Sequence, residues 1–130
     1  MIVDSSALVA LLEKERGYER LLAALLGCDS PPRISSPNFL ETAIVVDGRK
    51  DRKLRTTFDE LIEKFEIEIV AFTSEHAKIA REAYRDYGKG SGHPAKLNFG
   101  DAMAYALARA ERKPLLFVGD DFPHTDIEAA

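Results

Sequence analysis

A chain of 130 residues, 45% of them hydrophobic, can close one core and is too short for two substantial domains, so a single domain over residues 1–130 is expected. Its formal net charge of -4 argues against a protein that coats nucleic acid by bulk positive charge, but not against one whose acids gather a metal ion. The lone Cys28 permits no internal disulfide, and no apolar run approaches the ~20 residues of a membrane-spanning helix, so a cytoplasmic location is expected.

In chain order, Met1 to Asp4 is read as a buried strand that begins at once and ends on Asp4. Ser5 and Ser6 are expected to cap a helix that turns Ala7, Leu8, Leu11 and Leu12 inward. Gly17 breaks the pattern, and a second helix, Tyr18 to Leu26, carries Leu21, Leu22, Leu25 and Leu26 on one face, making a helical hairpin with the first. Past Pro31-Pro32, Arg33 to Ser36 reads as a strand. Pro37 then opens a helix capped by Ser36, with Phe39, Leu40, Ala43, Ile44 and Val45 on its apolar side and Glu41 as the polar exception. Asp47-Gly48 marks a turn before a further helix with Leu54, Phe58, Leu61, Ile62 and Phe65 at helical spacing. Glu66 to Phe72 alternates with period two, as a half-exposed strand does. Thr73 or Ser74 caps a helix through Tyr87, with Ala77, Ala80, Ala83, Tyr84 and Tyr87 expected toward the core. Gly88 to His93 is a loop.

The rest of the chain is organised around Pro94 to Asp121. Asn98 is a good N-cap, which places Asp101 in the first turn of an alanine-rich helix, at the positive end of its dipole. Lys113-Pro114 ends that helix, and Leu115 to Val118 is a short apolar run suited to a strand covered on both faces. It stops at Gly119-Asp120-Asp121.

Strands separated by helices imply right-handed crossovers and a mostly parallel sheet, whose functional crevice lies beyond the carboxyl ends of the strands. Asp4, Glu41, Asp101 and the Asp120-Asp121 pair all fall at that edge, from four separate segments. Each has an ordinary explanation as a cap, a dipole partner or a turn former. Together they form crowded carboxylates, which raise one another's pKa unless a cation sits between them. An oxygen-only ligand set, with no His or Cys nearby in sequence, suits Mg2+ or Mn2+. His76, His93 and His124 lack ligand spacing and are expected at the surface.

The segments MIVDSSALVALL, PNFLETAIVV, LNFGDAMAYALA and PLLFVGDDFPHTDI, in that order over nearly the whole chain, resemble a PIN-domain ribonuclease of the VapC toxin type. The resemblance implies an α/β/α sandwich around a parallel sheet and a Mg2+- or Mn2+-dependent endoribonuclease. It also implies a cognate VapB-like antitoxin that occupies the active site. Asp4, Glu41 and Asp101 match the family's firmest acidic positions. The fourth acid falls in GDDF, at Asp120 or Asp121; Asp120, the first of the pair after the strand, joins Asp4 and Asp101 as the expected metal ligand. Ser6, Asn98, Thr125 and Asp126 match supporting positions.

For RNA, cationic guidance is expected from Arg81, Arg85, Lys89, His93 and Lys96. A homodimer built partly from the Leu40 to Val46 helix is also expected, because the second and third helices carry more apolar surface than one such domain needs. Two other classes compete: a non-enzymatic interaction module, and a receiver-like signalling domain. The latter wants an acidic pair after its first strand, where this chain has a lone Asp4.

Overall fold

Alternation along two short strands sets the architecture of the computed structural model, which describes residues 1–130. Ile2 and Leu115 face one side of the sheet, Val3 and Leu116 the other, and all four are fully buried, so helices must cover both faces. The elements run β1 (Ile2–Val3), α1 (Ser5–Leu12), α2 (Tyr18–Leu26), β2 (Arg33–Ser35), α3 (Ser36–Gly48), α4 (Arg52–Lys64), β3 (Glu68–Val70), α5 (Ser74–Tyr87), α6 (Phe99–Glu111) and β4 (Leu115–Leu116). The strands are parallel in the order β3-β2-β1-β4, with Ile2 opposite both Arg33 and Leu115. A parallel bridge from Leu115 to Ala129 continues the sheet past β4.

Each crossover is a helix pair. Val3, Ile34 and Leu116 pack with Leu8, Leu21, Val46 and Phe58 from α1 to α4; Ile2, Leu115 and Phe117 pack with Ala83, Tyr105 and Leu107 from α5 and α6. The result is the expected three-layer α/β/α sandwich. No helix is long and apolar enough to cross a membrane.

Several local expectations need correction. Asp4, not Ser5 or Ser6, caps α1: it leaves β1 in an extended conformation and its carboxylate accepts the Ser6 N–H. α3 begins one residue early, and Ser36 does not cap it; its hydroxyl instead accepts the Phe72 N–H, tying α3 to the end of β3. On α3 the buried line is Asn38, Thr42 and Val46, with Phe39 and Ala43 packed beside it, while Leu40 and Ile44 are 57% and 62% exposed and face away from the core. On α5, Ala77 and Tyr84 are exposed, and His76 is buried at the first turn, where its ring nitrogen accepts the Thr73 N–H in a capping box. β4 is only two residues long, leaving Val118 to Asp121 as an exposed loop.

Candidate active site

Asp4 sits where the central strand meets the helix layer. Its Oδ2 accepts the Ser6 N–H at 3.0 Å and the Ser6 hydroxyl at 2.5 Å, and the same hydroxyl accepts the Val118 N–H at 3.0 Å. Ser6 thereby ties the first strand's acid to the loop after the last strand. Asp4 is 2% exposed, and its Oδ1 is buried without a partner. Burial raises its pKa to about 6; the two Ser6 hydrogen bonds oppose the shift, and the charges of Asp101 and Glu41 add to it.

Asp101 is fixed by reciprocal bonds at the start of α6. Its N–H donates to Asn98 Oδ1 at 2.8 Å, and the Asn98 N–H donates back to its Oδ2 at 2.9 Å. Burial raises the Asp101 pKa and the Asn98 N–H lowers it; Asp121 and Glu41 push it up, and Lys89 pulls it down. Glu41 comes across from α3, where the Ser5 hydroxyl donates to its Oε1. It lies flat on Gly100: a Cβ there would stand 2.3 Å from Glu41 Oε2. Asn38 completes this junction, donating to the Gly100 carbonyl at 3.0 Å, while Thr42 donates to the Asn38 carbonyl at 2.9 Å.

Asp4, Ser5, Ser6, Glu41, Asn98 and Asp101 line one cavity of about 360 Å3, with Glu15, Val9, Val45 and Val118 at its walls. Sequence reasoning missed Ser5, Asn38, Gly100 and Glu15. Asn38 and Thr42 were detectable as polar residues four apart inside an otherwise apolar helix face. Asp120 and Asp121 are exposed and outside the cavity walls, but Asp121 is the member of the pair whose charge acts on Asp101. As the side chains stand, no three acidic, histidine or cysteine groups close into a ligand set. The donors nonetheless fit a hard divalent cation: they are oxygens, one of them is buried and unpartnered, and two of the carboxylates have raised pKa values.

Thr125 and Asp126 lie elsewhere. Thr125 closes a local turn with the Phe122 carbonyl, and Asp126 accepts from the Tyr105 hydroxyl at 2.6 Å and from Arg109 at 3.1 Å. Asp126 borders a larger hollow of about 760 Å3 between α5, α6 and the C-terminal segment, which shares no residue with the acid cavity. His76 is buried, His93 half-buried and only His124 exposed.

A parallel sheet sandwiched by helices, with carboxylates from the first strand, the third helix and the last long helix meeting in one cavity, is the arrangement of a PIN domain. The PIN domain family model matches residues 1–128, and the chain belongs to that family. Within it, the chain is 45% identical over 130 residues to Ribonuclease VapC42 of Mycobacterium tuberculosis, covering 100% of this chain and 98% of the relative. Ribonuclease VapC28 of the same organism is also 45% identical over 130 residues, covering 100% and 97%. Among solved structures, Mycobacterium tuberculosis VapC20, a sarcin-ricin loop cleaving toxin, superposes with a TM-score of 0.78 at 14% identity, over 99% of this chain and 97% of that one. A toxin-antitoxin complex from Klebsiella pneumoniae superposes with a TM-score of 0.67 at 20% identity, covering 98% of each chain. At those identities the two structures speak for the fold alone.

Proposed function

We propose that this chain is a VapC-type endoribonuclease, the toxin of a toxin-antitoxin pair, which hydrolyses RNA phosphodiesters at the Asp4, Glu41 and Asp101 cavity with Mg2+ or Mn2+. The observation that carries this reading is the meeting of three carboxylates from three segments around the buried, unpartnered Asp4 Oδ1. Asp4, Asp101 and Asp121 are the residues that would hold the ion, which when bound supplies a Lewis acid for phosphate and water. Asp121 replaces Asp120 in that set because its charge reaches Asp101.

The remaining work belongs to the chain itself. Glu41, held by Ser5 and pressed on Gly100, would orient a water and take its proton. The start of α6 presents the positive end of its dipole to the phosphate. Ser6 fixes the Asp4 carboxylate and the Val118 backbone in one orientation. Incubation of the purified protein with labelled RNA tests the proposal: cleavage is expected with Mn2+ or Mg2+ and a drop of more than about a hundredfold in EDTA. Undiminished cleavage in EDTA would overturn the metal assignment. Between the terminal acids, Asp121→Asn is expected to lose at least about tenfold more turnover than Asp120→Asn; the reverse order in a side-by-side assay would return the ligand role to Asp120.

The partners follow from the same kinship and from the surface. We place a cognate VapB-like antitoxin over the acid cavity, and a second copy of this chain against the outer stripe of α3. Leu40, Ile44 and Phe99 are 57%, 62% and 78% exposed on two helices joined by the Asn38 to Gly100 bond, an apolar surface a monomer would leave in water. Sedimentation at micromolar concentration is expected to give a dimer, and a clean monomer would remove this assignment. The same reading makes the protein cytoplasmic.

A further inference from the structure

The ribonuclease reading leaves open which cation meets the RNA strand, and the structure separates the basic residues that precede α6. Arg85 is occupied, bonding Asp86 at 2.9 and 3.3 Å. His93 stacks edge-on to Tyr87 with ring centroids 4.8 Å apart, and its Nδ1 accepts the Ala95 N–H at 3.1 Å. Arg81 and Lys96 are exposed, with no bond tying either side chain toward the acids.

Lys89 differs from all of these. Its side chain is in no ion pair, yet its backbone is held firmly. The Lys89 N–H donates to the Leu97 carbonyl at 2.9 Å, and the Leu97 N–H donates to the Tyr87 carbonyl at 2.9 Å. Leu97 immediately precedes Asn98, the residue that caps α6 and orients Asp101. Gly88 permits this close course, since a Cβ there would lie 2.2 Å from the Tyr84 carbonyl oxygen. The Lys89 backbone is thus bonded to the segment that positions a carboxylate of the site, and its side chain, in no ion pair, is left free to reach a ligand there.

We propose that Lys89 is a substrate-binding residue beside the acid cavity, outside its walls, its ammonium engaging a non-bridging oxygen of an RNA phosphate next to the one that is cut. This rests on the ribonuclease reading of the same cavity. An ammonium suits the task because it presents a point charge with rotatable donors, which tolerates different backbone conformations of a single strand. The contact is one of binding and leaves the chemical step to the acids.

The test compares wild-type protein with Lys89→Ala and Lys89→Arg on a fluorescein-labelled single-stranded RNA oligonucleotide. Cleavage kinetics are measured with Mn2+, and binding is followed by anisotropy over a salt series in the cleavage-deficient Asp4→Asn background. Lys89→Ala is expected to raise KM and Kd about tenfold with kcat nearly unchanged, and to reduce the slope of log Kd against log salt by about 0.7. Lys89→Arg is expected to restore both. An unchanged Kd and salt slope in Lys89→Ala, or a loss confined to kcat, would overturn the assignment. If the wild-type protein neither binds nor cuts RNA, the ribonuclease reading itself fails and Lys89 falls with it, a result distinct from normal cleavage by the alanine variant.

Discussion

Asp4→Asn is expected to remove RNA cleavage by on the order of a thousandfold or more while making the metal-free protein more stable at pH 7. The two effects have one origin. Folding raises the Asp4 pKa from 3.8 to about 6, so between those values the folded state holds a proton that the unfolded chain has released. Stability therefore falls as pH rises through that window and stays low above pH 6. About two pKa units correspond to about 3 kcal/mol. Asparagine carries no charge to desolvate, and its carbonyl oxygen can accept both Ser6 bonds that Oδ2 accepts now. Its amide would face the same partnerless position as Oδ1, which reduces the net gain to at most about 2 kcal/mol. Thermal melts in EDTA at pH 4 to 8 are expected to show a falling melting temperature for wild type and a flatter profile for the variant. A variant that melts lower at pH 7, or that keeps wild-type turnover, would show that Asp4 plays another part.

Gly100→Ala is expected to lose roughly a hundredfold in turnover with a change in stability below about 1 kcal/mol. The added methyl would meet Glu41 Oε2 at 2.3 Å and its Cδ and Oε1 at 2.9 Å, all at the free end of a flexible side chain. Glu41 can yield by changing rotamer, so the fold survives. What it cannot do is yield and keep its carboxylate against the start of α6. Alanine also improves intrinsic helix propensity by up to about 1 kcal/mol, which offsets part of the cost. If displacement of Glu41 is the cause, Glu41→Ala will cost about as much alone as together with Gly100→Ala. Full activity in Gly100→Ala, or strictly additive losses, would mean that the contact is incidental.

The layers, the parallel sheet and the convergence of Asp4, Glu41 and Asp101 on one cavity were legible because they rest on patterns the sequence displays: apolar strands, capped helices and acids at strand ends. What stayed hidden depended on contacts between elements. The face α3 buries is polar in part, because Asn38 must reach the Gly100 carbonyl, and no count of apolar residues finds that. Asp4 as a cap was one of the two readings open to it, and the structure realises it because β1 ends at Val3 and Asp4 is the next residue. Gly100 reads as a mildly unfavourable helix residue until Glu41 is seen lying against it. The choice between Asp120 and Asp121 could not come from adjacency to a strand that ends four residues before Asp120; it depends on the fold of the exposed loop. His76 was placed at the surface because its spacing suits no metal, whereas its position three residues after Thr73 is a capping position.

The bridge that Ser6 makes to Val118 spans 112 positions of sequence, and Ile2 pairs with Leu115 across a similar distance. Asp4, the first carboxylate of the proposed site, lies at the end of a strand whose β2 neighbour follows soon after it, whereas its β4 neighbour and the loop bonded to Ser6 come far later in the sequence. One edge of the central strand must wait for the last one. A fragment ending before β4 would carry Asp4, Glu41 and Asp101 but could not make the Ser6 to Val118 bond or pair the second edge of β1, so the proposed site reaches its final geometry only after the last strand has docked.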